Sequence, residues 1–215
     1  MVHIGKGYYA GNGLEFFGKS YEMILNQYVN TLSDYKDREY QIIYSLDRVN
    51  NVRIVPNNDL ESQIIYKDLI VKKKDNLAQI WFEYNNDINA GLIANYCQPK
   101  LAELFITENR IFKQPSFSLT IYDKDCFIAN HKDGEDNDGR RVCVVLLYLN
   151  KDWVRGDGGE LVITDLDGNK LEITPEFGNF AILDFTNANL EHEVKPITNT
   201  NFDRKTLISF IYNAK

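Results

Sequence analysis

Residues 141–149, Arg141-Val142-Cys143-Val144-Val145-Leu146-Leu147-Tyr148-Leu149, form an apolar run of strand length. Asp138-Gly139 precedes it and Asp157-Gly158-Gly159 follows it, both with turn chemistry. Outward from this run, apolar or alternating stretches recur at 116–122, 126–132, 159–164, 170–174, 179–185, 191–196 and 204–212. Further turns fall at Asp167-Gly168-Asn169 and from Pro175 to Gly178. Eight short strands in about 100 residues predict a sandwich or barrel, with the eight-stranded jelly roll of the cupins as the leading candidate.

The first half reads differently. Phe17, Tyr21, Ile24, Tyr28 and Leu32 are spaced by three and four residues, which predicts an amphipathic helix over 14–33. Residues 60–73 and 99–107 also suit helices, and 77–84 is ambiguous between helix and strand. No linker separates the halves, so the expected fold is α+β, with N-terminal helices packed on the sheet. The expected organisation is one domain over 1–215, with a helical and mixed support region to residue 112 and a jelly-roll catalytic core over 113–215.

Composition narrows the function. The chain has 215 residues, 44% of them hydrophobic, and a formal net charge of −7. That is a globular composition with no basic surface for nucleic acid or anionic membrane. Lys72-Lys73-Lys74 is the only charge run and suits a solvated helix end. The three cysteines, Cys97, Cys126 and Cys143, make neither a disulfide framework nor a Cys-x-x-Cys zinc pair. The start of the chain lacks the apolar core of a signal peptide, and no window reaches ~18 apolar residues. A cytoplasmic setting is expected.

There are three histidines, His3, His131 and His192. His131-Lys132-Asp133 follows a strand, and residues two apart on an extended chain share a face. His131 and Asp133 can therefore offer an imidazole nitrogen and a carboxylate oxygen to one metal. His192 arrives some four strands later, a separation that in a jelly roll can return it beside the first pair. Two imidazoles and one carboxylate suit a non-haem Fe(II) centre with an open face, and zinc can use the same ligand types. Arg204 follows His192 by twelve residues, at the head of the strand Arg204–Tyr212. An inward guanidinium in an apolar barrel needs an anionic partner, which a dicarboxylate co-substrate would supply. The plain alternative is a surface pair with Asp203 or Glu193. Both faces of this strand mix polar and apolar residues, so alternation does not choose between Arg204 and Lys205 as the inward cation.

The order His131-x-Asp133, His192, Arg204 resembles the Fe(II)/2-oxoglutarate-dependent oxygenase superfamily. The stretches Asp138-Gly139-Arg140, Leu147-Tyr148-Leu149-Asn150-Lys151-Asp152-Trp153, Gly158-Gly159-Glu160-Leu161-Val162-Ile163 and His192-Glu193-Val194 look most like its prolyl 4-hydroxylase branch, which includes the hypoxia-sensing prolyl hydroxylases. The resemblance covers about 117–213. Ile208 stands where the hypoxia-sensing group has a polar residue.

The resemblance implies that His131, Asp133 and His192 ligate iron, and that Arg204 and Tyr148 bind the distal carboxylate of 2-oxoglutarate, with Tyr122 facing the co-substrate. For both tyrosines ordinary core is the alternative. Trp153 and Gly158-Gly159 read as a packed aromatic and a turn. The implied reaction uses O2 and 2-oxoglutarate to hydroxylate a C–H bond, releasing succinate and CO2, with ascorbate allowed as an accessory reductant. Asp133 favours hydroxylation over halogenation, because related halogenases carry a small residue there. The implied substrate is a prolyl residue in a protein or peptide, a translation factor among the candidates. Free amino acids and small metabolites are the alternative. A catalytically silent jelly-roll binding module and a zinc hydrolase are further alternatives, the last giving no role to Arg204 with Tyr148. The loop 133–140 and the first 112 residues are expected to grip the substrate.

Overall fold

A computed structural model describes residues 1–32, 40–45, 53–56, 79–84, 88–105, 117–133 and 141–212. Two short strands open the chain, β1 (Val2–Gly5) and β2 (Tyr8–Asn12), followed by helices α1 (Gly13–Phe17) and α2 (Tyr21–Asn30). Next come β3 (Gln41–Ser45), β4 (Arg53–Pro56), β5 (Gln79–Tyr84) and helix α3 (Ile88–Phe105). The remaining strands are β6 (Ser118–Tyr122), β7 (Phe127–His131), β8 (Arg141–Tyr148), β9 (Leu161–Thr164), β10 (Lys170–Ile173), β11 (Asn179–Asp184), β12 (Glu191–Val194) and β13 (Arg204–Tyr212).

All eight strands expected after residue 113 are present. The ladder is larger than eight, because the described residues of the first 112 add five strands where a helical and mixed region was expected. Its path is β1-β2-β11-β8-β13-β6-β5-β7-β12-β9-β10, with β3 and β4 branching from β5. These pairings are antiparallel. One four-strand run is β11-β8-β13-β6 and another is β7-β12-β9-β10. Strand β5 joins them, pairing with β6 through Phe82 to Tyr84 and with β7 through Gln79 and Ile80.

Alternation along β8 explains why its sequence is apolar throughout. Val144, Leu146 and Tyr148 enter a core shared with Leu161, Ile163 and Val194 of the other run. Val145 and Leu147 enter a second core with Leu25 and Tyr28 of α2 and Ile93, Cys97 and Leu101 of α3. The central strand is thus covered on both faces. The first core carries the site and the second carries the helices.

The expected helix over 14–33 is two helices. The Asn12 side chain accepts from the Glu15 amide at 3.2 Å and starts α1. Gly18, at φ 103°, ends it. The turn that follows lets Phe17 stack on Tyr21, with ring centroids 4.9 Å apart. The expected helix at 99–107 is the second half of α3, which carries Pro99 in its interior. The ambiguous 77–84 segment contains β5. Residues 60–73 and the lysine run lie outside the described residues. Among the described residues, no helix is long and apolar enough to cross a membrane.

Candidate metal and co-substrate site

His131 closes β7 and His192 lies on β12, and the ladder sets them directly opposite each other as a cross-strand pair. Their ring centroids are 4.2 Å apart. Asp133, two residues beyond His131, turns back between them. Its Oδ1 lies 3.2 Å from His131 Nε2 and its Oδ2 lies 3.5 Å from His192 Nε2. The ligand atoms of the three residues fall within 4.8 Å of one another.

Main-chain carbonyls orient both rings. His131 Nδ1 is 2.9 Å from the Ala129 carbonyl, and His192 Nδ1 is 3.2 Å from the Leu190 carbonyl. A carbonyl only accepts, so each Nδ1 carries a proton and each Nε2 faces the Asp133 carboxylate, donating to it in the metal-free protein and offering its lone pair to a metal once that proton leaves. Both partners lie two residues back along the chain, a repeated local device that sequence spacing does not reveal. Arg141 adds support, its Nη1 donating to the Asp133 carbonyl at 3.1 Å.

The electrostatics match a cation site. Burial alone would push the Asp133 carboxyl up, but its hydrogen bonds with His131 and His192 and their charge hold it well below the usual range. Burial likewise pushes the His131 imidazole down, and Asp133 outweighs it, so the net shift is upward. Two imidazoles and an ionised carboxylate around one point are the donor set of a mononuclear Fe(II) centre.

Arg204 opens β13 and is only 2% exposed. The surface reading is excluded: among the described residues no carboxylate lies within ion-pair distance of it, and Glu193 instead faces Lys170 at 4.0 Å. Lys205 points the other way, is half-buried, and donates from Nζ to the Asp203 carbonyl at 3.3 Å. The inward cation is therefore Arg204. Register places it opposite Tyr122 on β6, with Thr206 opposite Tyr148 on β8. The guanidinium carbon sits 4.8 Å from the Tyr122 ring centroid and 5.2 Å from that of Tyr148. Its Nε donates to the Gly159 carbonyl at 2.7 Å.

Among the described residues, three buried polar atoms here meet no partner at hydrogen-bonding geometry: Arg204 Nη2, Tyr148 Oη and Thr206 Oγ1. Burial lifts the Tyr148 phenol to about 12, with the Arg204 charge pulling the other way, so it stays protonated as a donor. Orphaned donors beside an uncompensated cation are costly unless an anion completes them. Tyr122 joins the two halves of the site. Burial raises its phenol, Arg204 opposes that, and the Asp133 charge adds to it. Thr206 was not singled out from the sequence, although period two from Arg204 puts it on the same face.

The remaining sequence-stretch residues are accounted for structurally. Trp153 Nε1 donates to the Gly158 carbonyl at 3.0 Å, as a packed aromatic on a turn should. Beyond Asp133, the loop to residue 140 lies outside the described residues.

Residues 117–212 match the family model of the 2OG-Fe(II) oxygenase superfamily. The matched region holds every residue of the site just described. No curated protein matches the chain. The chain shares its fold with a Pseudomonas putida prolyl-4-hydroxylase at 17% identity and TM-score 0.58, covering 98% of this chain and 94% of that one. A Trichoplax adhaerens prolyl hydroxylase, solved with a hypoxia inducible factor peptide fragment, matches at 18% identity and TM-score 0.59, over 97% and 83% of the two chains. A Phytophthora capsici prolyl 4-hydroxylase matches at 17% and 0.56, over 98% and 60%. The family match implies Fe(II), 2-oxoglutarate and O2, and the residues present fit them. The His-Asp-His cluster suits the metal, and the unpaired Arg204, Tyr148 and Thr206 suit a carboxylate.

Proposed function

We propose that this protein is a 2-oxoglutarate-dependent oxygenase that hydroxylates a C–H bond of a prolyl residue in a protein or peptide. The observation that carries the oxygenase chemistry is the pairing, in one core, of the His131-Asp133-His192 cluster with a buried Arg204 that has no counter-ion. In this reading the three clustered residues hold Fe(II). Arg204, Tyr148 and Thr206 hold the distal carboxylate of 2-oxoglutarate, with Tyr122 against its carbon chain. Bound Fe(II), with 2-oxoglutarate and O2, supplies the oxidising power and yields succinate and CO2.

The chain's own contribution is positioning. The carbonyls of Ala129 and Leu190 keep each Nε2 free for the metal, and Asp133 stays ionised as the anionic ligand. The planar guanidinium and the protonated phenol fix one end of the dicarboxylate, so its other end has one orientation. Apolar walls from Val144, Leu146, Ile163 and Val194 exclude water.

The prolyl assignment is supported by the shared fold with prolyl hydroxylases, one of them holding a peptide. The eight C-terminal strands, in two four-strand runs around one core, support a double-stranded β-helix over 113–215, with the first 112 residues as its support. Incubation with Fe(II), 2-oxoglutarate and air, against proline-containing peptides in one arm and free amino acids in another, tests the assignment. A gain of one oxygen on proline in the peptide arm is expected. Oxygen gained only by free amino acids would replace the peptide reading with a small-molecule one.

A further inference from the structure

We infer that Asn150 is a positioning residue for Arg204, through a side-chain amide that replaces the main chain of β8 where that strand leaves β13. The inference rests on the assignment of Arg204 to the distal carboxylate of 2-oxoglutarate.

The last β8–β13 ladder pair is Tyr148 opposite Thr206. One residue on, the Leu149 amide still donates to the Lys205 carbonyl at 3.1 Å. The main chain of Asn150 then turns to the 175–178 segment, where it forms a parallel bridge with Glu176 and its carbonyl accepts from the Phe177 amide at 2.8 Å. That departure would leave the Lys205 amide without a partner at the residue following Arg204. The Asn150 side chain fills the gap. Its Oδ1 accepts from the Lys205 amide at 2.7 Å, and its Nδ2 donates to the carbonyls of Lys205 at 3.2 Å and Pro175 at 2.7 Å. A carboxamide carries the same acceptor and donor pair as a peptide group, so it can stand in for one.

Asn150 is 2% exposed, so these bonds are made out of water, where an unmade one costs most. The consequence falls on Arg204. On one side its main chain is paired with Tyr122 of β6. On the other side the bonds that reach β13 at this level, among the described residues, all fall on Lys205, from the Leu149 amide and from the Asn150 side chain. Asn150 therefore fixes the direction in which the Arg204 side chain leaves the strand, between Tyr122 and Tyr148. No other side-chain type serves equally. Aspartate lacks the two donors, glutamine is a methylene too long, and an apolar residue strands the Lys205 amide.

The test uses the 215-residue chain loaded with Fe(II) under anaerobic conditions, with two ligands. One is 2-oxoglutarate. The other is 2-oxobutanoate, which has the same 2-oxo acid head and no distal carboxylate. Asn150→Ala should raise the Kd of 2-oxoglutarate about tenfold, as expected for a misplaced charge-assisted contact, while the Kd values of 2-oxobutanoate and Fe(II) stay within about twofold. Asn150→Asp keeps the acceptor and loses the donors, and should show a smaller loss of the same selectivity. It decides the matter if Asn150→Ala does not fold. A merely structural residue would weaken both acids equally, and that result, or no change in either, overturns the inference. Arg204→Ala, measured alongside, must also lose 2-oxoglutarate selectively. If it does not, the assignment of Arg204 falls and this inference falls with it.

Discussion

Gly159 and Arg204 are fitted to each other. The Gly159 carbonyl accepts from Arg204 Nε at 2.7 Å, and a Cβ placed on Gly159 would lie 2.8 Å from Arg204 Cδ and 2.5 Å from Ile197 Cδ1. Gly159 also has φ +80°, a region that L side chains rarely adopt. The glycine is thus part of the seat of the guanidinium as well as part of a turn. Gly159→Ala should cost about 1–3 kcal/mol of stability and displace the guanidinium. Calorimetry should find weaker 2-oxoglutarate binding with Fe(II) affinity retained. Unchanged 2-oxoglutarate affinity would mean that the Arg204 stem adapts freely.

Among the described residues Arg204 is buried without a counter-ion, so its charge there is uncompensated in the ligand-free protein. Arg204→Met should leave the melting temperature of the metal- and ligand-free protein unchanged or raised. It should also weaken 2-oxoglutarate about a hundredfold, matching roughly 2–3 kcal/mol for a charge-assisted carboxylate contact. The rise in melting temperature that 2-oxoglutarate gives the wild type should vanish. A strongly destabilised apoprotein would indicate a counter-ion for Arg204 and contradict the account.

Among the described residues Tyr148 Oη meets no partner at hydrogen-bonding geometry and lies beside the Arg204 guanidinium, so removing it costs the folded chain little. Tyr148→Phe should be close to neutral in a thermal melt, yet raise the Kd of 2-oxoglutarate about fivefold, roughly 1 kcal/mol. A loss of stability without a loss of affinity would assign Tyr148 to the core alone.

The metal-free cluster should make stability depend on pH with a definite sign. Asp133 is depressed from its ordinary value of 3.8, so its contribution is present above that value and is lost as pH falls through the folded pKa. His131 is raised from 6.5, so its contribution is full below 6.5 and is lost as pH rises through the folded pKa. Thermal melts of metal-free protein should therefore fall as pH rises above 6.5, and Asp133→Asn should flatten that fall. Fe(II) binding should strengthen over the same range, because the metal displaces a proton. A melting temperature that rises with pH would contradict the assigned coupling.

Much of the C-terminal half was legible because its strands are short, apolar and bounded by glycine turns. The His131–Asp133 pair was legible because period two needs no tertiary information. The choice of Arg204 over Lys205 was not legible. Strand β13 is covered on both faces, so its alternation is masked, and only register against Tyr122 and Tyr148 separates the two. The hairpin Val2–Gly5/Tyr8–Asn12 escaped because its residues are few and half-exposed, and it exists by pairing with β11 across the fold. Helix α2 was read too long because the apolar spacing continues through Gly18, whose positive φ breaks the helix. Pro99 obscured the first half of α3, since proline reads as a helix start and here lies inside one.

The central claim is that His131, Asp133, His192 and Arg204 form one Fe(II)/2-oxoglutarate site. The most direct measurement is an anaerobic titration of the apoprotein with Fe(II) and then 2-oxoglutarate, followed by visible absorption. The account predicts a weak charge-transfer band that appears only with both additions, is absent in Asp133→Ala and His131→Ala, and needs far more 2-oxoglutarate in Arg204→Ala. A folded protein that binds Fe(II) yet develops no band, or a band that persists in Asp133→Ala, would contradict it.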